Sequence, residues 1–104
     1  MQKSSGMKAN ITKQLKEFFS TQPVERAWVF GSYARGEETP ESDIDIMVSY
    51  IPGKSPGILG MCRIIDSLQS LLGIKVDLVE RGTLYPRVEK EVERQKVHIY
   101  ERGT

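Results

Sequence analysis

Phe30-Gly-Ser-Tyr-Ala-Arg-Gly-Glu-Glu-Thr-Pro-Glu-Ser-Asp-Ile-Asp-Ile-Met-Val48 joins two kinds of chemistry in one stretch. Gly31-Ser32 follows the apolar run Ala27-Trp28-Val29-Phe30, which suits a strand buried on both faces. Where that strand ends the chain must turn. Glycine lets a phosphate approach the backbone there, and a serine hydroxyl donates to one. A short helix opened by Ser32 and running through Tyr33-Ala34-Arg35 would add the pull of a helix N-terminus on anions. Arg35 then lies one turn on, within reach of a phosphate, and Gly36 ends the turn.

Ten residues separate Ser32 from Asp43-Ile44-Asp45. Side chains two apart on a strand share a face. Ile44, Ile46 and Val48 therefore take one side, and Asp43 and Asp45 the other. The segment Ile74–Val79 repeats the pattern, with Ile74, Val76 and Leu78 on one face and Asp77 opposite. Glu80 falls on the apolar side by the same alternation, which leaves Asp77 as the third carboxylate. Carboxylates two apart on a strand have Cα atoms roughly 6–7 Å apart, and neighbouring strands lie about 4.8 Å apart. Groups at that scale reach two metal ions spaced about 3.5–4 Å. Three unpaired carboxylates so placed repel one another, and a hard divalent cation relieves the repulsion. Oxygen donors of this kind favour Mg²⁺, with Mn²⁺ as a substitute.

The rest of the chain frames these residues. Ile11, Leu15, Phe18 and Phe19 form one face of a helix, with Asn10 as its expected cap and Pro23 beyond its end. Tyr50 to Gly57 reads as a Pro/Gly-rich loop. It leads into a helix whose stripe is Ile58, Met61, Ile65, Leu68 and Leu72, stopped by Gly73. Leu84, Val88 and Val92 mark a charged amphipathic helix, and Val97 and Ile99 a last strand. The expectation is an α+β fold, a small mixed β-sheet with helices packed on one face. Residues 1–7 read as a flexible leader, with Met7 a candidate start, and residues 8–104 as a single domain.

Composition excludes several classes. A net charge of +1 gives no bulk attraction to nucleic acid or to an anionic membrane. No segment approaches the length of a membrane span. One cysteine, Cys62, allows no intrachain disulfide and suits a reducing cytoplasm; it reads as a core or boundary residue. Gly53-Lys54-Ser55 matches only the end of a P-loop, because the glycine required five residues earlier is Val48. His98 is expected on an edge strand, without a metal role, and Glu89 to Lys96 as a solvated helix face. Tyr33, Tyr50 and Tyr85 are candidates for an exposed partner surface.

Gly31-Ser32, the ten-residue spacing, Asp43-x-Asp45 and the later Asp77 together resemble the signature of the polymerase-β-like nucleotidyltransferase superfamily. The fuller Gly-Ser-Tyr-Ala-Arg-Gly…Ser-Asp-Ile-Asp form, in a short chain, resembles its minimal nucleotidyltransferase (MNT) branch. The resemblance implies that Gly31 and Ser32, with Arg35, hold the triphosphate of ATP or another NTP. It implies that Asp43, Asp45 and Asp77 bind two Mg²⁺ ions and form the catalytic set. A hydroxyl would attack the α-phosphate in line, with pyrophosphate leaving and positioning and charge neutralisation supplying most of the catalysis. Short MNT proteins commonly pair with HEPN ribonuclease toxins, and some transfer AMP to a toxin tyrosine. The resemblance therefore implies a cytoplasmic antitoxin that adenylylates a HEPN partner. A non-catalytic antitoxin that neutralises by binding, or an enzyme that nucleotidylates a small molecule such as an antibiotic, are the alternatives.

Overall fold

The apolar periodicities resolve into eight elements in a computed structural model that describes residues 9–103. In chain order they are α1 (Ala9–Phe19), β1 (Val24–Phe30), α2 (Gly31–Arg35), β2 (Ile44–Tyr50), α3 (Gly57–Leu72), β3 (Val76–Glu80), α4 (Pro86–Gln95) and β4 (Val97–Glu101). The leader expected at residues 1–7 lies outside the described residues. Asn10 is within α1, so it does not cap it. The short helix opens at Gly31, one residue before the expected Ser32.

The four strands form one mixed sheet in the order β3-β2-β1-β4. β1 runs antiparallel to both β2 and β4, while β2 and β3 are parallel and joined through α3. That crossover needs a helix, because parallel neighbours cannot be joined by a tight turn. Gly73 stops α3 in a left-handed conformation (φ 70°), its N–H bonded to the Gln69 carbonyl at 2.8 Å. His98 is exposed on the edge strand β4, as expected.

Alternation sorts the sheet into two unlike faces. Ala27, Val29, Ile44, Ile46, Val48, Val76 and Leu78 point to one side. There Ile11, Leu15 and Phe19 of α1 and Ile64 and Leu68 of α3 seal them into the main core. On α3 the buried residues are Ile64 and Leu68, with Met61, Ile65 and Leu72 packed against the core, whereas Ile58 is 81% exposed. Trp28 and Met47 point to the other side, where they pack with Val92 of α4, flanked by Phe30, Val79 and Leu84. The α+β class and mixed sheet are as expected, but the helices are not confined to one face, since α4 covers part of the second. Tyr33 and Tyr50 are buried among the main core rather than exposed, while Tyr85 is exposed. Cys62 is exposed, not a core or boundary residue. No helix among the described residues is long and apolar enough to cross a membrane.

Candidate active site

The end of β1 and the starts of β2 and β3 meet at one end of the sheet. Phe30 pairs with Asp45 across β1 and β2, and Asp45 pairs directly with Asp77 across β2 and β3. The cross-strand register thus places the two strand aspartates side by side, on the face shared with Met47. Asp43 immediately precedes β2 and is exposed, as is Asp77, while Asp45 is half-buried between them. The Asp45 carboxyl is pushed up to about 6, first by burial and then by the negative charges of Asp77 and Asp43; the Asp45–Asp77 side-chain hydrogen bond pushes the same way. Arg35 opposes that rise with its positive charge. Glu80 lies on the opposite side, where its charge, after burial, helps push the Tyr50 phenol up to about 12.

Gly31 closes the site from the β1 side. Its backbone is left-handed (φ 75°), and a Cβ there would lie 2.1 Å from Asp45 Oδ2. Only glycine lets the turn and the carboxylate approach so closely. Gly36 (φ 75°) ends α2, and Glu37 N–H donates to the Ser32 carbonyl at 2.9 Å, returning the chain toward β2. Ser32 makes no side-chain hydrogen bond among the described residues, so its hydroxyl is available to a ligand. Arg35 donates from Nε to Glu37 Oε1 at 2.9 Å and from Nη1 to Gln95 Oε1 at 3.0 Å. The Gly31 N–H donates to the same Gln95 oxygen at 3.0 Å.

Gln95, the last residue of α4, was not legible as a site residue. A lone glutamine at a helix end carries no periodic or spacing signal, and its partner Gly31 lies 64 positions away. All the expected residues, Gly31, Ser32, Arg35, Asp43, Asp45 and Asp77, belong to this one end of the sheet. Among the described residues, no group of three His, Cys, Asp or Glu side chains is drawn together tightly enough to enclose an ion. The donor chemistry nevertheless fits a divalent cation. Asp45 is crowded by two carboxylates, with one partly opposing cation, and added positive charge would relieve it. A groove of about 310 Å³ opens beside Asp43, between residues 40–43 and 73–75, on the β3 side away from Gly31.

The nucleotidyltransferase domain family matches residues 10–99. A candidate protein adenylyltransferase of Methanocaldococcus jannaschii, MJ1379, is 36% identical over 100 residues, covering 95% of this chain and all (100%) of its own. Protein adenylyltransferase MntA of Thermococcus cleftensis is 37% identical over 87 residues, covering 84% of this chain and 83% of its own. In fold, the chain is similar to a solved structure of a tri-AMPylated Shewanella oneidensis HEPN toxin in complex with MNT antitoxin. That match has a TM-score of 0.61 and 23% identity, over 88% of this chain and 67% of the matched one.

Proposed function

Because this chain belongs to the nucleotidyltransferase domain family, we propose that it moves AMP from ATP onto a hydroxyl of a partner protein, as the antitoxin of a HEPN-type toxin in the cytoplasm. The observation that carries this reading is the approach of Gly31 to Asp45, within 2.1 Å of a would-be Cβ. It brings the phosphate turn and the carboxylates to one place.

Gly31 and Ser32 offer a backbone approach and a free hydroxyl to the triphosphate, and Arg35, at the other end of α2, brings a positive charge that reaches Asp45. Asp43, Asp45 and Asp77 would hold Mg²⁺, which neutralises phosphate charge and polarises the reacting oxygens when bound. In-line displacement sets the attacking and leaving oxygens on opposite sides of the phosphorus. Pyrophosphate on the Gly31 side therefore leaves the groove beside Asp43 for the acceptor, on the opposite flank of the carboxylates. Asp77, exposed next to Asp45, is placed to take the proton of the attacking hydroxyl. The relatives named as protein adenylyltransferases support AMP as the transferred group and a protein as acceptor.

The test incubates the protein with α-labelled ATP, Mg²⁺ and the product of its neighbouring gene. Label should appear on that partner and disappear with Asp43→Asn/Asp45→Asn. No transfer, with neutralisation surviving the double substitution, would leave an antitoxin that acts by binding alone.

A further inference from the structure

We infer that Gln95 is a positioning residue for the phosphate turn, one amide oxygen of α4 clamping both ends of α2. This rests on the nucleotide reading above. Gly31 and Arg35 are the first and last residues of α2, and both donate to Gln95 Oε1, each at 3.0 Å. A five-residue helix does not hold its own shape, since helix nucleation is costly and so short a segment adds few bonds to repay it. Something outside it must fix its direction. Gln95 is equipped to do so because it is itself fixed. Its Nε2 donates to Glu91 Oε2 at 3.1 Å, one turn back on α4, so its oxygen faces the two donors and its nitrogen the carboxylate. Val92, three residues before it, is buried with Trp28 and Met47 and anchors α4 to the sheet.

The clamp has two effects on the turn. Holding the Gly31 N–H fixes the left-handed residue that lies against Asp45. Holding Nη1 of Arg35, whose Nε is bound by Glu37, fixes the guanidinium plane and leaves Nη2 without a protein acceptor among the described residues. Gln95 thereby acts on the nucleotide through Gly31 and Arg35, without touching it. An acceptor oxygen at residue 95, held in place by a hydrogen bond to residue 91, is the required chemistry.

Titration of the protein with ATP and Mg²⁺ by calorimetry tests this. Gln95→Met keeps the volume and removes the oxygen, and should weaken binding about tenfold, the worth of about one net hydrogen bond. Gln95→Glu/Glu91→Gln exchanges the two side chains, so that an acceptor for both donors and the hydrogen bond between residues 95 and 91 are kept at unchanged net charge, and it should bind within about threefold of the wild type. Without ligand, the Gly31 amide should exchange with solvent faster in Gln95→Met while the Leu15 and Phe19 amides stay protected. If Gln95→Met does not fold, Gln95→Glu/Glu91→Gln decides alone, its Gly31 amide staying protected and its ATP affinity near wild type. Wild-type binding in Gln95→Met, or a loss in Gln95→Glu/Glu91→Gln equal to that in Gln95→Met, overturns the clamp while the nucleotide reading stands. A wild-type protein that binds no ATP removes both.

Discussion

The two faces of the sheet are built by opposite means. On the main face, α1 and α3 press a continuous apolar layer from Ile11 to Ile99, in which Leu15, Phe19, Ile44, Ile46 and Val48 are wholly buried. On the other face, among the described residues, only Trp28, Met47 and Val92 are buried together, and charged side chains complete the cover. Arg81 and Lys96 each lie 5.1 Å from the Trp28 ring, and both are tied to Glu93. Those two bonds hold the Glu93 carboxyl down to about 2. Beyond this patch the face stays open at Asp45 and Asp77. A site proposed to admit nucleotide and metal cannot be roofed with apolar side chains, and the buried layer is concentrated on the far side.

The contrast is most directly broken at Phe19. Phe19→Ala should cost about 3–4 kcal/mol of stability by chemical denaturation. A loss below about 1 kcal/mol would mean that the main face does not carry the fold. Gly31→Ala sits on the open face and should divide differently. The left-handed backbone costs about 1–2 kcal/mol for a residue with a Cβ. The new methyl displaces the Asp45 carboxylate, so adenylyl transfer should fall by about tenfold or more. Equal transfer in Gly31→Ala and wild type would separate the turn from the carboxylates.

Protonation sharpens the comparison further. The Asp45 carboxyl titrates near 6 in the folded protein, above the ordinary carboxylate value of 3.8. A raised value means that the metal-free fold has its full stability below about pH 4 and loses the contribution as pH climbs through about 6. Wild type should therefore lose melting temperature relative to Asp45→Asn between pH 4 and 7.5. Because the group is only half-buried, solvent screening keeps the effect to about 1 kcal/mol. Added Mg²⁺ should restore the wild type, and not Asp45→Asn, at the upper pH. A melting difference that is flat with pH would refute the carboxylate crowding. The smallest change is expected from Glu93→Gln, about 0.5 kcal/mol, since the stronger of its contacts, to the half-exposed Arg81, is an ionic pair screened by solvent. A larger cost would show that the charged rim, and not the Trp28 cluster, seats α4.

Much of this was legible in the sequence. Strand alternation alone put Asp43 and Asp45 opposite Ile44 and Ile46, and Asp77 opposite Val76 and Leu78; the register then set Asp45 beside Asp77. The side of the sheet chosen by α4 was not legible, because an amphipathic stripe says that a helix packs and not where. Ile58 continues the 3.6-residue period of the stripe and is nevertheless exposed, because periodicity marks a face and not how far along the helix that face is covered. The burial of Tyr33 and Tyr50 was not legible, because a lone tyrosine in a turn or at a strand end has no pattern to mark it as buried. Gln95 was invisible since its role depends on two donors brought to it only by the completed fold.

The central strand has one further consequence, for the order of folding. β1 takes its two neighbours from opposite parts of the chain, pairing Val29 with Ile46 on one side and Trp28 with His98 on the other. Arg102 then crosses back to donate to the carbonyls of Val24, Phe19 and Gln22. Early hairpin contacts between β1 and β2 are cheap in loop entropy, whereas the β4 contacts close a loop of about seventy residues. The slow step of folding should therefore be the arrival of β4. Until then, β1 presents an unpaired edge, the moment at which this chain is most exposed to joining another.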